Sequence, residues 1–156
     1  MGKVLTNPHA TSNDVLKVRH RTSEPFDHPI APADLPTIIF DCGEVAAINA
    51  SGYAVRGSHA NLAAITVVGL FMLPSQPSDV RKNNYVQSSG NASIISSGIV
   101  VLDRQITDAA ITARDPLYMG TDGKITKTDP GSGKKIGWAM SSRTAAGAEV
   151  IVKLEL

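Results

Sequence analysis

The stretch DPLYMGTDGKITKTDPGSGKKIGWAM, residues 115–140, sets two lysines behind a glycine-rich loop, a pattern that could hold a phosphate. A phosphate loop of the form G-x-x-x-x-G-K-[ST] joins a strand to a helix. Backbone amides at the helix N-terminus cradle the anion, and the final hydroxyl is left for Mg²⁺. Here Thr128 stands where the first glycine should be, and Lys135 stands where the hydroxyl should be. The text that follows, KIGWAM, is a strand pattern and supplies no helix N-terminus. GSGKK therefore reads as a polar loop between strands.

Other chemistry-bearing residues are equally scattered. Cys42 is the single cysteine, so no internal disulfide or cysteine-rich metal site can form. It follows the apolar run TIIF and reads as a buried, inert thiol. In ASGYA the serine precedes the glycine of a turn, so no nucleophile elbow is present. His59 lies in SHAN, a loop-like text, and His9, His20 and His28 are too irregularly spaced for a metal site. Asp103, Asp108, Asp115, Asp122 and Asp129 fall in loops and turns, where Asp bonds its own backbone. The expectation is a protein that is not an enzyme, with no catalytic residues, no cofactor and no metal.

The elements around these residues point to β structure. A chain of 156 residues fits one domain and can bury a core. With 15 basic and 14 acidic side chains, the charge balance argues against a general nucleic-acid binder, which needs a basic surface. The longest apolar stretch, LAAITVVGLFML at 62–73, is too short to span a membrane and reads as one or two buried strands. The start, MGKVLTNPHATS, has no apolar signal core, so a soluble protein of a reducing cytoplasm is expected.

Residues 1–36 read as an extended N-terminal arm. They hold Pro8, Pro25, Pro29, Pro32 and Pro36, and proline both removes a donor and forces its predecessor into extended backbone. The segment DVLKVRHR alternates without a clean apolar side, as a strand in search of a partner would. Residues 37–156 read as one β-rich body, with 74–98 as a surface excursion and TDAAITAR, 107–114, as one short helix. The closing EVIVKLEL sets Val150, Val152, Leu154 and Leu156 on one face.

The body contains an internal repeat. GEVAAINASGYAVR, 43–56, aligns with RDPLYMGTDGKITK, 114–127, when Gly52 is set on Gly123; Ala54 then falls on Ile125. Further on, VVGLFM aligns with KIGWAM, with Gly69 on Gly137. Each copy reads as a hairpin followed by a strand that carries a glycine. Asp122-Gly123 is a strong signal for a tight turn with positive φ at both central positions.

These runs resemble the small capsid decoration proteins of tailed phages, the DUF2190 group. There, a G-D-P-L/V-Y … D-G-K-x-T … I-G-x-A pattern precedes a final strand. The matching text here is DPLYMGTDGKITK, KIGWAM and EVIVKLEL, and the resemblance spans residues 38–73 and 99–156. Arg114 departs from it, because a glycine is common before the Asp; the departure is expected to loosen that turn. The resemblance implies a mostly all-β, small barrel-like body of two similar hairpin units, assembled as a homotrimer on the outside of the phage head. Its partner would be the major capsid protein, held by the extended arm, and its location the virion surface. On that reading Val4, Leu5, Val15, Leu16, Lys17, Val18, Arg19 and Arg21 are the expected capsid-binding residues, and Ile30 and Leu35 anchor the arm. No membrane or nucleic acid is expected as a partner. The alternative is a small nucleic-acid-binding β-barrel that uses VLKVRHR as a basic strand.

Overall fold

The computed structural model describes residues 16–32, 34, 40–72 and 90–156. Eleven strands and one 3₁₀ helix are described: β1 (Lys17–Arg21), β2 (Phe26–Pro29), β3 (Val45–Asn49), β4 (Ala54–Arg56), the 3₁₀ helix (His59–Ala64), β5 (Ile65–Phe71), β6 (Asn91–Ile95), β7 (Gly98–Leu102), β8 (Pro116–Met119), β9 (Ile125–Thr126), β10 (Lys135–Ala139) and β11 (Val150–Leu154). They form two antiparallel sheets. One runs β1-β7-β11-β10-β8-β9 and the other β2-β6-β5-β3-β4.

Turn chemistry sets the two aligned hairpins. Thr121 O accepts from Lys124 N at 2.9 Å, with Asp122 at φ 49 and Gly123 at φ 78, the paired positive values a tight hairpin turn requires. In the β3–β4 turn, the Asn49 side-chain oxygen accepts from Ser51 N and Tyr53 N, and Gly52 takes φ 84.

The repeat is larger than the two hairpins. The five-stranded sheet has the order β2-β6-β5-β3-β4, and the six-stranded sheet without β1 has the order β7-β11-β10-β8-β9. Strand for strand these are the same topology, so β2 to β6 and β7 to β11 form two units of one plan. In each, the chain after the first strand makes one parallel bridge to the last hairpin strand: Ile30 to Ala54, and Ile106 to Ile125. In each, the register slips just before the aligned glycine. Val68 is skipped between the Gly69 and Val67 pairs, and Ile136 between the Gly137 and Lys135 pairs. A Cβ at Gly69 would lie 2.1 Å from Ile95 O, and one at Gly137 would lie 2.0 Å from Lys153 O. Glycine is present at both positions because a neighbouring backbone occupies the space a side chain needs. Among the described residues neither sheet is a closed barrel; one parallel bridge joins each unit's margins.

The main core lies between the sheets. Val45, Leu70 and Ile95 come from one side, and Val100, Leu117, Met119, Val150, Val152 and Leu154 from the other. A second cluster covers the far face of the five-stranded sheet: Ala46, Ala54, Phe71, Ala92 and Ile94 pack under Ile30 and Phe40. The Phe40 and Phe71 rings stack with centroids 4.5 Å apart.

Several expectations are corrected here. Over its described residues, the N-terminal segment is part of the body and not a separate arm. β1 pairs with β7, β2 pairs with β6, and Leu16 and Ile30 are buried in the two clusters. Alternation hid β1 because a bulge at Arg19 breaks its phase. Pro29 did not preclude a strand because β2 is at an edge. Residues 107–114 form no helix. Thr107 N donates to Ile125 O and Ile111 pairs with Arg143, so tertiary partners take the backbone groups a helix would use. The short helix lies instead at His59–Ala64. Within the expected excursion, β6 is core, with Ala92, Ile94 and Ile95 buried. Its Ser96 and Ser97 hydroxyls bond those of Ser23 and Thr22, tying the β1–β2 and β6–β7 links together. Leu156 is exposed and does not extend the buried face of β11.

Candidate interaction surface

The residues expected to meet a partner are divided by the fold. Val4, Leu5, Val15 and Leu35 lie outside the described residues. Leu16 is 4% exposed and bonds Met72 O through its amide, so it serves the protein's own core. Val18 packs against the same core. Lys17 and Arg19 are exposed on β1, and Lys17 Nζ pairs with Glu149 at 2.5 Å. An exposed pair of this kind contributes at most about 1 kcal/mol. Arg21 ends β1 opposite Gly98. β1 is an edge of its sheet, and its cationic sequence KVRHR is the kind that protects a free edge from unspecific strand pairing. Ile30 is buried beneath the five-stranded sheet.

Beside these stands a surface that alternation did not reveal. In β10 the burial pattern runs Ile136 in, Gly137 in, Trp138 out, Ala139 in, because the bulge at Ile136 reverses the phase. Trp138 is 37% exposed, Met140 50% and Leu156 41%. Trp138 is held in place: its Nε1 donates to Glu155 Oε2 at 2.5 Å and the Lys135 ammonium stacks on its ring. Ala113, Ala139, Trp138, Met140, Arg114, Lys153 and Glu155 line a cleft of about 490 Å³ beside it. The turn that carries Arg114 is not loosened. Arg114 itself takes φ 83, its amide donates to Ala139 O at 2.7 Å, and Asp115 O accepts from Ala139 N at 2.9 Å.

Charged groups missed in the sequence meet where the two units touch. Asp41 is fully buried, and its Oδ2 accepts from Arg104 Nη2 at 2.5 Å. Burial pushes its carboxyl up to about 7, Glu44 adds to the rise, and Arg104 and Lys124 oppose it. Glu44, also buried, accepts from Arg56 Nε. Gln105 Nε2 donates to Cys42 O at 2.8 Å, which ties the same junction from the other unit. Arg143 is 5% exposed and donates to four carbonyls, those of Asp103, Ile106, Asp108 and Ala148. Burial lowers its guanidinium from the ordinary value, while Asp103 and Asp108 oppose that shift. These residues lock loops together, and their partners lie too far along the chain for spacing to reveal.

The glycine-rich loop has its own anion. The Asp129 carboxylate accepts from Gly131 N at 2.9 Å and Gly133 N at 2.8 Å, so the amides that would cradle a phosphate already face a negative charge. Cys42 is buried, and as the chain's single cysteine it forms no internal disulfide. Among the described residues no three His, Cys, Asp or Glu side chains gather to hold a metal, and no helix is long and apolar enough to cross a membrane. No protein-family model matches the chain, and no curated protein sequence matches it.

Proposed function

We propose that this chain is a capsid decoration protein, assembled as a homotrimer on the outer surface of a tailed-phage head and binding the major capsid protein. The observation that carries this reading is the fate of the text that resembles the decoration group. DPLYMGTDGKITK and KIGWAM make three adjacent strands, β9-β8-β10, and set an anchored tryptophan on the outer face of that sheet. On the same reading the body built from the two units is barrel-like, which the parallel bridges at Ala54 and Ile125 support.

The mechanism is binding without chemistry. Leu16 and Ile30 belong to the body, so the clamp is assigned to the residues before Leu16, including Val4, Leu5 and Val15, together with the outer edge of β1. A stretch of fifteen residues, if fully extended, can reach about 50 Å. Each added backbone hydrogen bond contributes about 0.5–1.5 kcal/mol, and three linked arms raise the effective concentration of one another.

Adding the purified chain to undecorated heads and counting bound copies tests the reading. Saturable attachment that persists at physiological salt is expected. Binding to duplex DNA that falls steeply with salt, with no attachment to heads, would favour the nucleic-acid reading instead. A chain beginning at Leu16 should stay folded and attach at least tenfold more weakly. One beginning at Thr37 would lack β1 and β2 and should not fold, so it cannot serve as the truncation test.

A further inference from the structure

The cleft beside Trp138 has the features of a docking groove, and three independent observations say what it fits. The first is backbone conformation. Arg114 holds φ 83, a region that residues with a Cβ avoid and glycine enters freely. Hydrogen bonds on both sides of the turn keep it there: Arg114 N to Ala139 O, and Thr112 N to the Asp115 carboxylate at 2.8 Å. A glycine would satisfy this turn without strain, so the arginine side chain is present for something other than the turn.

The second is pre-organisation. Trp138 is fixed before any partner arrives by Glu155 and Lys135, and Met140 beside it is half exposed. A rigid tryptophan, an adaptable methionine and an arginine are the residue types that anchor protein interfaces. The third is charge. Glu155 already accepts from Trp138, while Arg114 and Lys153 have no ion-pair partner among the described residues. Glu155 keeps its negative charge in that bond, so the cleft offers an apolar wall whose margin carries two cations against one carboxylate.

We propose that this cleft receives an extended acidic segment of the shell subunit, with an apolar side chain seated on Trp138 and Met140 and a neighbouring carboxylate bound by Arg114 and Lys153. The partner's identity rests on the decoration reading; the chemistry of the segment follows from the cleft. A second copy of this chain is a poorer occupant, because β1, the edge strand among the described residues, carries the same sign of charge as the cleft's cations.

Trp138 is the single tryptophan of the chain and can report its own occupancy. The full chain, labelled there with 5-hydroxytryptophan so that shell tryptophans stay dark, is added to undecorated heads. Attachment is read by co-sedimentation, and emission and acrylamide quenching are read on the bound fraction. A shifted emission with loss of quenching is expected on attachment. Arg114→Gly and Lys153→Glu should each weaken attachment at least tenfold, and Arg114→Gly should leave Tm unchanged or raise it by up to about 4 °C as strain is relieved. If the unaltered chain does not attach to heads, the decoration reading and this inference fail together. If it attaches while Trp138 emission is unchanged, or while both variants attach as tightly, this inference alone is overturned. Emission that shifts with protein concentration in the absence of heads would assign the cleft to a second copy and overturn the proposed partner.

Discussion

The two five-stranded units share strand order, bulge and glycine, yet they stand in opposite relations to water. The first is buried on both faces along β3 and the end of β5. Val45, Ala46 and Ala47 are consecutive and all inaccessible, because alternate residues face the sister sheet and the Phe40–Ile30 cover. The second buries one face, so β7 and β11 show clean alternation and Trp138 and Lys153 point outward. Among the described residues the first unit has a cover and no added strand, whereas the second has the added strand β1 and no cover. One plan has therefore been used twice, once as interior and once as surface. The cleft and the cationic edge both belong to the second use.

The largest expected effect tests whether the units are equivalent. Gly69→Ala and Gly137→Ala should each destabilise by more than about 4 kcal/mol, since a Cβ would strike a backbone carbonyl that cannot retreat. Urea unfolding should show similar losses for the two. A large loss at one and none at the other would break the equivalence. The next effect sharpens the difference between them. Phe71→Ala, in the doubly buried unit, should cost about 3–5 kcal/mol, whereas Trp138→Ala on the open face should cost about 1 kcal/mol or less.

A third effect, spread over several pH units, concerns the charged junction between them. Asp41 has its folded value raised above the ordinary 3.8, so between about pH 4 and pH 7 the native state holds a proton that the unfolded chain has lost. Stability from this group is present in full below pH 4 and is lost as pH rises through about 7. The unaltered protein should therefore lose stability relative to Asp41→Asn as pH climbs, with a slope of up to about 1.4 kcal/mol per pH unit. Urea midpoints of both proteins, measured across that range, check the sign.

What the sequence disclosed and what it withheld follow from the same contrast. The β class, the hairpin at Asp122-Gly123 and the pairing of Gly69 with Gly137 were legible, because turns and close approaches demand particular residues. The closing strand was legible because one of its faces is wet. The first unit was harder to read. Strands buried on both faces lose their alternation, so NASII looked like part of a serine-rich excursion although Ile94 and Ile95 are core. The cleft was hidden by a bulge. Simple alternation puts Ile136 and Trp138 on one face, and only the slip at Ile136 separates them. Arg143 gave no signal, since its four carbonyl partners come from two loops brought together by the fold.

The division of labour between the units is tested most directly by amide hydrogen exchange on the protein free and bound to undecorated heads. Slowed exchange is expected on attachment along the outer edge of β1 and in the 112–115 turn beside Trp138, with β3, β5 and β6 unchanged. Protection that appears on the five-stranded sheet and spares β1 and that turn would contradict it.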